Sequence, residues 1–384
     1  MTDTFLPFAL PDIGDDEIAA VVACLRSGWL TTGPKAQEFE SQFAAFVGVK
    51  HALAVNSCTA ALHLALEGCG IGPGDRVITT PFTFTATAEV IVYLGAEPVF
   101  ADIDAETLNI AVGEVQRRLD EFDRVKAIIP VHFAGLACDM PALLRLARDH
   151  DLRVIEDAAH ALPCTLDSRS VGSFGDAGAF SFYATKTLCT GEGGMVTTNN
   201  DRLAEWIKTM RLHGINRDVF DRYQSEKANW YYEVVAPGYK YNMPDTAAAL
   251  GVAQLHRALQ LHERRRSIAH HYTERFADLP IECPADATHG DAHAWHLYVI
   301  RLASDTIDRN EFIRKMASLG IGTSVHFIPL HLQPYWRDSY HLRPDDFPVA
   351  HDVYQRCVSL PIYSRMSDAD VERTVKAVRR VLGA

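Results

Sequence analysis

The sequence predicts an α/β protein: a mostly parallel, buried sheet of seven strands sandwiched by helices, followed by a smaller α+β domain. Three observations predict it. Short apolar runs alternate with helical segments from residue 51 to residue 198, a rhythm that requires crossover connections and hence parallel strands. A long helical pattern then occupies Asp245 to Phe276, and the composition breaks at Leu279-Pro280 and again at Cys283-Pro284. With 384 residues and roughly 100 to 200 per domain, two domains are expected, here 1–278 and 279–384.

In chain order, Asp15-Asp16-Glu17 precede Ile18, Val21, Val22 and Leu25, so an amphipathic helix with an acidic first turn ends near Ser27-Gly28. A second helix covers Lys35 to Phe46. The candidate strands are His51–Val55, Arg76–Thr80, Pro98–Asp102, Lys126–Val131, Arg153–Glu156, Ala179–Phe182 and Met195–Thr198. Helices Thr59–Cys69, Ala86–Leu94, Val112–Leu119 and Pro141–His150 fall between most of them. No helix separates the last two strands, which allows one of them to run antiparallel. Beyond the break come a strand (Trp295–Leu302), a helix (Arg309–Leu319), an extended stretch (Gly322–Phe327) and helices near 348–357 and 368–381.

Apolar residues make up 48% of the chain and charged residues 22%, ordinary globular values that exclude disordered and low-complexity classes. The 37 basic and 49 acidic side chains leave a formal charge of −12, and no Lys/Arg run interrupts it. That balance disfavours nucleic acid and anionic membrane surfaces as partners but permits a small anionic ligand in a locally positive pocket. Met1-Thr2-Asp3-Thr4-Phe5-Leu6-Pro7 lacks the basic and apolar regions of a signal peptide, and no stretch has the length of a transmembrane helix. The eight cysteines never form C-x-x-C, so reduced thiols in a cytoplasmic enzyme are expected.

The chemistry concentrates in Ala179-Phe-Ser-Phe-Tyr-Ala-Thr-Lys186, followed by Gly191-Glu-Gly-Gly194. A lysine directly after an apolar strand and before a glycine turn sits where backbone approaches something closely. Partly desolvated, such a lysine forms a Schiff base with a carbonyl; taken alone, a lysine reads more often as a solvated surface group. Asp157 closes the apolar run Arg153-Val-Ile-Glu-Asp, at the strand end where parallel sheets bind ligands. There a carboxylate can pair with a protonated pyridine nitrogen, the better electron sink, or simply cap a helix. His160, three residues on, lies beside the same ring or is a core histidine. Asn56-Ser-Cys58-Thr59-Ala-Ala61 joins a strand to an alanine-rich helix, an arrangement that suits a phosphate or plain N-capping equally. Phe84 reads as an aromatic stacked on the ring or as core. Gly68-Cys-Gly70-Ile-Gly72-Pro-Gly74 precedes a strand rather than following one, so it is a turn and not a dinucleotide fingerprint. Phosphate cradle, pyridinium carboxylate and Schiff-base lysine, in that chain order, describe a pyridoxal phosphate enzyme.

From roughly Gly28 to Pro361 the sequence resembles the DegT-type nucleotide-sugar aminotransferases. The matching segments are Gly28-Trp-Leu-Thr-Thr-Gly-Pro34, Asn56-Ser-Cys-Thr-Ala-Ala61, Glu156-Asp-Ala-Ala-His160, Phe180-Ser-Phe-Tyr-Ala-Thr-Lys186, Gly191-Glu-Gly-Gly194, Gly238-Tyr-Lys-Tyr-Asn242 and Gly320-Ile-Gly-Thr-Ser-Val-His-Phe327. The resemblance implies fold type I of the pyridoxal phosphate enzymes, with 1–278 holding the cofactor and 279–384 forming the small domain. It makes Lys186 the lysine that anchors the cofactor, Asp157 the partner of the pyridine nitrogen and His160 a neighbour of the ring. Cys58, Thr59 and Ser181 match phosphate contacts, and Phe84 takes the stacking position, where the family more often has tryptophan. The family also more often has arginine near Lys240. Asn242 matches a residue that reaches the phosphate from a neighbouring subunit, which implies a homodimer with shared sites. Thr32 and His326 fall where the family lines the sugar-nucleotide pocket.

Within the family, the His293-Ala-Trp-His296-Leu and Gly238-Tyr-Lys-Tyr-Asn segments look closest to enzymes that aminate C4 of a UDP-4-keto sugar, including those of lipid A modification. The implied reaction takes the amino group of L-glutamate, releases 2-oxoglutarate and delivers an amino sugar. GDP- or dTDP-linked sugars aminated at C3 or C4 are the alternative. Sugar dehydratases of the same fold carry histidine in place of the anchoring lysine, so Lys186 argues against them, and an inactive homologue would not be expected to keep Lys186, Asp157 and Thr59. No metal is expected: His289-x₃-His293-x₂-His296 and His326-x₄-His331 are loosely ligand-like, but no H-E-x-x-H occurs.

Overall fold

The computed structural model describes residues 5–216, 231–288, 290–303 and 306–383. Two helices, α1 (Asp15–Ser27) and α2 (Pro34–Val47), lead into the alternating region. There β1 (His51–Val55), α3 (Cys58–Gly68), β2 (Arg76–Thr79), α4 (Ala86–Tyr93), β3 (Glu97–Phe100), α5 (Val112–Glu121), β4 (Val125–Ile128), α6 (Met140–Asp149) and β5 (Arg153–Asp157) follow one another. A short hairpin, β6 (Thr165–Leu166) and β7 (Arg169–Ser170), precedes β8 (Ala177–Ser181), β9 (Gly194–Thr198) and α7 (Asp201–Met210). The main sheet has seven strands in the order β1-β9-β8-β5-β4-β2-β3. Only β9 opposes its neighbours: it pairs antiparallel with β1 and β8, and every other pairing is parallel. The missing helix between the last two strands was the signal for that reversal.

This topology decides where a ligand can sit. The C-terminal ends of β1, β8 and β5 and the N-terminal end of β9 share one edge, so Val55, Ser181 and Gly194 are register partners there, with Asp157 one strand further on. The strands are short because both faces are covered. Ala60 to Leu66 of α3 are all buried and pack on Val55, Ile129, Ile155, Ala179 and Val196. On the opposite face Phe39 and Phe43 of α2 meet Phe180 and Phe182, with ring centroids 5.1 to 5.5 Å apart in the cross-pairs.

After residue 231, α8 (Asp245–Phe276) is a 32-residue helix that enters two cores. Leu255 and Ala258 pack with Phe39 and Phe43, while Ile268, Ala269, Tyr272 and Phe276 pack with a second sheet. That sheet has β11 (Tyr298–Leu302) between β10 (Ile281–Glu282) and β12 (Cys357–Leu360), all antiparallel. Helices α9 (Arg309–Ser318), α10 (Pro334–Tyr340), α11 (Pro348–Arg356) and α12 (Asp368–Leu382) complete this part. The N-terminus is tied into it, because Leu6 exchanges backbone hydrogen bonds of 2.8 Å with Gly320 and Gly322.

The fold departs from expectation in a few elements. The strand Cys357–Leu360 was not expected, although the helix before it ends at Arg356, within one residue of its expected end; the strand's pairing partner Tyr298–Leu302 lies far away in sequence and leaves no local periodicity. Gly322–Phe327, expected as an extended stretch, joins the second sheet only through an isolated bridge between Ser324 and Ser359. Helix α1 buries Glu17 and Cys24, not its apolar stripe: Ile18 is 54% and Leu25 is 53% exposed. The cause is a polar dock. The Glu17 carboxylate accepts from Gln254 Nε2 (2.8 Å), Arg257 Nη1 (2.7 Å) and Gly14 N (2.9 Å), which turns the stripe outward.

Candidate active site

At the ligand edge of the sheet, a cavity of about 500 Å³ is lined by Cys58, Thr59, Phe84, Asp157, His160, Ser181, Lys186 and His326, together with Thr83, Thr87, Gly193, His296 and Phe327. Eight of the ten sequence-nominated residues therefore meet there. A larger cavity beside α5 and α11 contains none of them.

Asp157 is fixed from both sides. Its backbone donates to Pro130 O (2.9 Å) and accepts from His132 N (3.1 Å). Its carboxylate accepts from Thr87 Oγ1 at 2.8 Å and Ala159 N at 3.1 Å, and Thr87 also bonds Thr83. Burial pushes this acid above its ordinary range, while those two hydrogen bonds and the charge of Lys186 pull it back. The neighbouring Glu156 faces away from the cavity: it accepts from Gly172 N, Phe174 N and Gly175 N at 2.7 to 2.8 Å and lies 3.2 Å from His132 Nε2. It ties the loop beneath the strand rather than serving a ligand.

Lys186 stands one turn after β8, with its amide bonded to Tyr183 O (2.9 Å). Burial pushes its ammonium down to about 8, and the positive charge of Arg265 adds to the effect against Cys58 and Asp157. Its Nζ lies 3.4 Å from His296 Nε2. His160 is buried, its ring 4.4 Å from that of His296 and stacked on Phe327 at 5.9 Å, and its Nδ1 has no partner in the protein. His326 bonds Ser359 Oγ through Nδ1 (2.8 Å), and burial next to Lys186 pushes it down to about 4. Phe84 is 61% exposed at the rim, 6.2 Å from Phe327.

The first turn of α3 forms one wall of the cavity. Ser57 caps the helix: its Oγ accepts from Ala60 N (3.1 Å) and its carbonyl from Ala61 N (3.1 Å). Of the four leading N–H groups, those of Cys58 and Thr59 are left for a ligand, and both residues line the cavity. Gly194 makes that approach possible. A Cβ there would lie 2.5 Å from the Ser57 carbonyl and 2.7 Å from Cys58 N. Gly194→Ala is expected to lower the melting temperature by several degrees, the effect of about 1–3 kcal/mol of overpacking in a domain of this size. It should also weaken phosphate-containing ligands; calorimetric scans with and without pyridoxal phosphate check both.

Two nominated residues lie outside the cavity. Asn242 Nδ2 donates to Thr32 Oγ1 (2.6 Å), which donates to Met243 O (2.6 Å). Asp245, at the start of α8, accepts from Gly33 N, Lys35 N and Ala36 N and so holds this corner against α2. Sequence reasoning missed His296, Thr87 and Phe327 as site residues. His296 had a signal, the histidine-rich run ahead of a strand, but its approach to Lys186 joins segments 110 residues apart. Among the described residues, no group of three or more His, Cys, Asp or Glu could hold a metal ion. His293 instead accepts from Trp295 N at 2.8 Å, and His289 lies outside the described residues.

The match to known proteins covers the same ground. The model of the DegT/DnrJ/EryC1/StrS aminotransferase family matches residues 11–379. The chain belongs to that family. It is 50% identical to the spore coat polysaccharide biosynthesis protein SpsC of Bacillus subtilis, over 98% of this chain and 97% of the relative. Among solved structures it is similar to Spr1654 of Streptococcus pneumoniae in its PMP form (33% identity, TM-score 0.92, covering 98% of this chain and 99% of that one). It is likewise similar to PseC of Helicobacter pylori, an aminotransferase involved in pseudoaminic acid biosynthesis (30% identity, TM-score 0.90, 99% and 100% covered). The protein is thus a pyridoxal phosphate-dependent sugar aminotransferase of fold type I, as the sequence led one to expect. No helix among the described residues is long and apolar enough to cross a membrane.

The residues present fit the DegT-family cofactor. The cavity has the volume of a small-ligand pocket. It sets the free amides of the α3 N-terminus, a buried carboxylate and a lysine of lowered basicity around one space, and the steric need for Gly194 keeps the phosphate wall open.

Proposed function

We propose that this enzyme moves the amino group of L-glutamate to the C4 keto group of a nucleotide-linked sugar, with uridine diphosphate as the nucleotide, for cell-surface polysaccharide or lipid A amino-sugar synthesis in the cytoplasm. The observation that carries the amino-transfer chemistry is the meeting of Lys186, Asp157 and the α3 N-terminus in one cavity. The family and the polysaccharide role in the name of SpsC support a sugar acceptor. The choice of UDP and of C4 rests on the His293–Leu297 and Gly238–Asn242 segments.

Pyridoxal phosphate, when bound, supplies an aldehyde that condenses with amines and a pyridine ring that takes up the electron pair left when a carbon loses its proton. The protein does the rest. Cys58 and Thr59 amides, with the hydroxyls of Thr59 and Ser181, bind the phosphate. The Asp157 carboxylate holds a proton on the pyridine nitrogen, and Thr87 and Ala159 keep that carboxylate in place. Lys186 anchors the cofactor and, when released, carries the proton from the α-carbon of the amino donor, as general base and then acid. A neutral amine is needed for that, and burial, by pushing Lys186 down to about 8, makes the neutral form increasingly available as pH rises through that value. His160 packs beside the ring, Phe84 and Phe327 shield it from water, and His326 and Thr32 orient the sugar.

The reading includes a homodimer. Asn242 and Thr32 would act in the neighbouring subunit's site, which accounts for their place outside this chain's cavity. The exposed stripe of α1, with Leu30 and Tyr183 half exposed nearby in sequence or at the rim, is apolar surface that a second copy would cover. We also assign 1–278 to the cofactor-binding domain and 279–384 to the small domain.

Incubation of the loaded enzyme with ¹⁵N-glutamate and UDP-, dTDP- and GDP-linked keto sugars tests the substrate. NMR should place ¹⁵N on C4 of the UDP sugar with 2-oxoglutarate formed in equal amount. Label at C3, or only on the other nucleotides, overturns this assignment.

A further inference from the structure

Resting on the reading of Lys186 as the proton-carrying lysine, we propose that His296 is a further catalytic residue: it receives the ε-amino group of Lys186 whenever that amine is free and holds it in the cavity as a proton carrier, with Arg265 as the positioning residue that fixes His296.

Three observations carry this. First, His296 Nε2 lies 3.4 Å from Lys186 Nζ, inside the cavity wall, although the two are 110 residues apart in the chain. Second, His296 is only 6% exposed and its Nδ1 has no partner in the protein, so structure alone gives its ring no reason to be polar. Its neighbour His293 is different, with Nδ1 engaged by Trp295 N and its ring stacked on Trp295 at 3.9 Å. Third, the segment bearing His296 is held by a buried cation. Arg265 is 3% exposed, and its Nη1 donates to Trp295 O (3.3 Å), His296 O (3.3 Å) and Ile362 O (2.8 Å).

Among the described residues no carboxylate pairs with Arg265, and its Nε has no partner. A buried guanidinium without an anion is costly, and an apolar side chain could fill the same space. Its Nη1 gathers carbonyls from the His296 segment and from the chain just after β12, which leucine would not do. It also sets a positive charge behind the site. The groups facing Lys186 are Cys58 from α3, Asp157 after β5, His160, His296, His326 and Arg265. Arg265 favours the neutral forms of both Lys186 and His296.

The proton balance is simple. A proton leaves the donor's α-carbon and arrives on Lys186 Nζ. The ammonium so formed has three N–H groups, one of which donates to His296 Nε2. His296 stays neutral, and the same proton returns from Nζ to the cofactor carbon. No oxidant or second proton is required.

The test has two arms. In protein stripped of cofactor, acylation of Lys186 is followed against pH by peptide mass mapping. The wild type should show a midpoint near pH 8. Removing a positive neighbour favours the ammonium form, so Arg265→Met should move that midpoint to higher pH, whereas Arg265→Lys should not. In the loaded enzyme, His296→Leu should slow the first half-reaction by about 10²-fold with the donor's KM unchanged, and enlarge the isotope effect of α-deuterated donor. His296→Gln, whose amide reaches the Nε2 position, should recover much of the rate.

A His296→Leu enzyme within threefold of wild type, or one impaired only in KM or only in melting temperature, overturns the proposal. So does an Arg265→Met midpoint that does not move. Wild-type protein that takes up no pyridoxal phosphate would instead bring down the underlying reading of Lys186 together with this one.

Discussion

Lys186→Ala is expected to cut amino transfer by more than about 10⁴-fold, the top of the range for a single proton-transfer group, because anchor and proton carrier are lost together. The same change should also remove the long-wavelength absorption of lysine-bound cofactor. The loss should lie in kcat and not in donor KM. The physical ground is position: among the described residues Lys186 alone of the lysines lines the cavity, buried enough to lie near 8 and aimed at His296. Retention of protein stability should accompany the loss, since removing a desolvated ammonium relieves a cost instead of adding one. Single-turnover kinetics with saturating donor, paired with thermal melting of the apoprotein, would check both halves. An alanine variant with a hundredth of wild-type activity would mean that another base carries the proton.

Asp157→Asn should come second, at about 10²–10³-fold in kcat, the effect of removing one preorganised electrostatic partner. Thr87 and Ala159 donate to different carboxylate oxygens, so asparagine keeps the volume and one of those two hydrogen bonds, and cofactor affinity should fall by less than the rate does. What is lost is the negative charge that holds a proton on the pyridine nitrogen. Burial already raises this carboxylate, so its anionic form depends on those two donors and on a positive partner. Comparison of kcat with cofactor dissociation constants for wild type, Asp157→Asn and Thr87→Val would separate the charge from the scaffold. Thr87→Val should produce a smaller loss in the same direction.

Much of this was readable in the sequence because the relevant signals are local. The seven strands and the long helix announce themselves by apolar runs and by a 32-residue helical pattern, and the lack of a helix before Gly194 foretold the antiparallel β9. Asp157, His160, Ser181 and Lys186 sit at strand ends, where chain order alone places them on the ligand edge of a parallel sheet. Other features depend on contacts between distant segments. Helix α1 carries an apolar stripe that reads as a core face, yet Glu17 finds Gln254 and Arg257 far along the chain, and the stripe turns outward. Cys357–Leu360 becomes a strand only because Tyr298–Leu302 lies beside it. His296 and Thr87 escaped for the same reason, since nothing near them in sequence reveals Lys186 or Asp157 as their partners. Thr32 and Asn242 were named through resemblance, and their mutual hydrogen bond at the α2–α8 corner has no signature in spacing.

The most direct test of the amino-transfer chemistry is the visible absorption of the purified protein before and after L-glutamate. With pyridoxal phosphate bound through Lys186, a long-wavelength band should be present, collapse to the pyridoxamine form on adding glutamate, and return with 2-oxoglutarate. Protein that stays colourless when supplied with pyridoxal phosphate, or a band indifferent to every amino donor, would contradict Lys186 as the cofactor's anchor and Asp157 as the partner of its pyridine nitrogen.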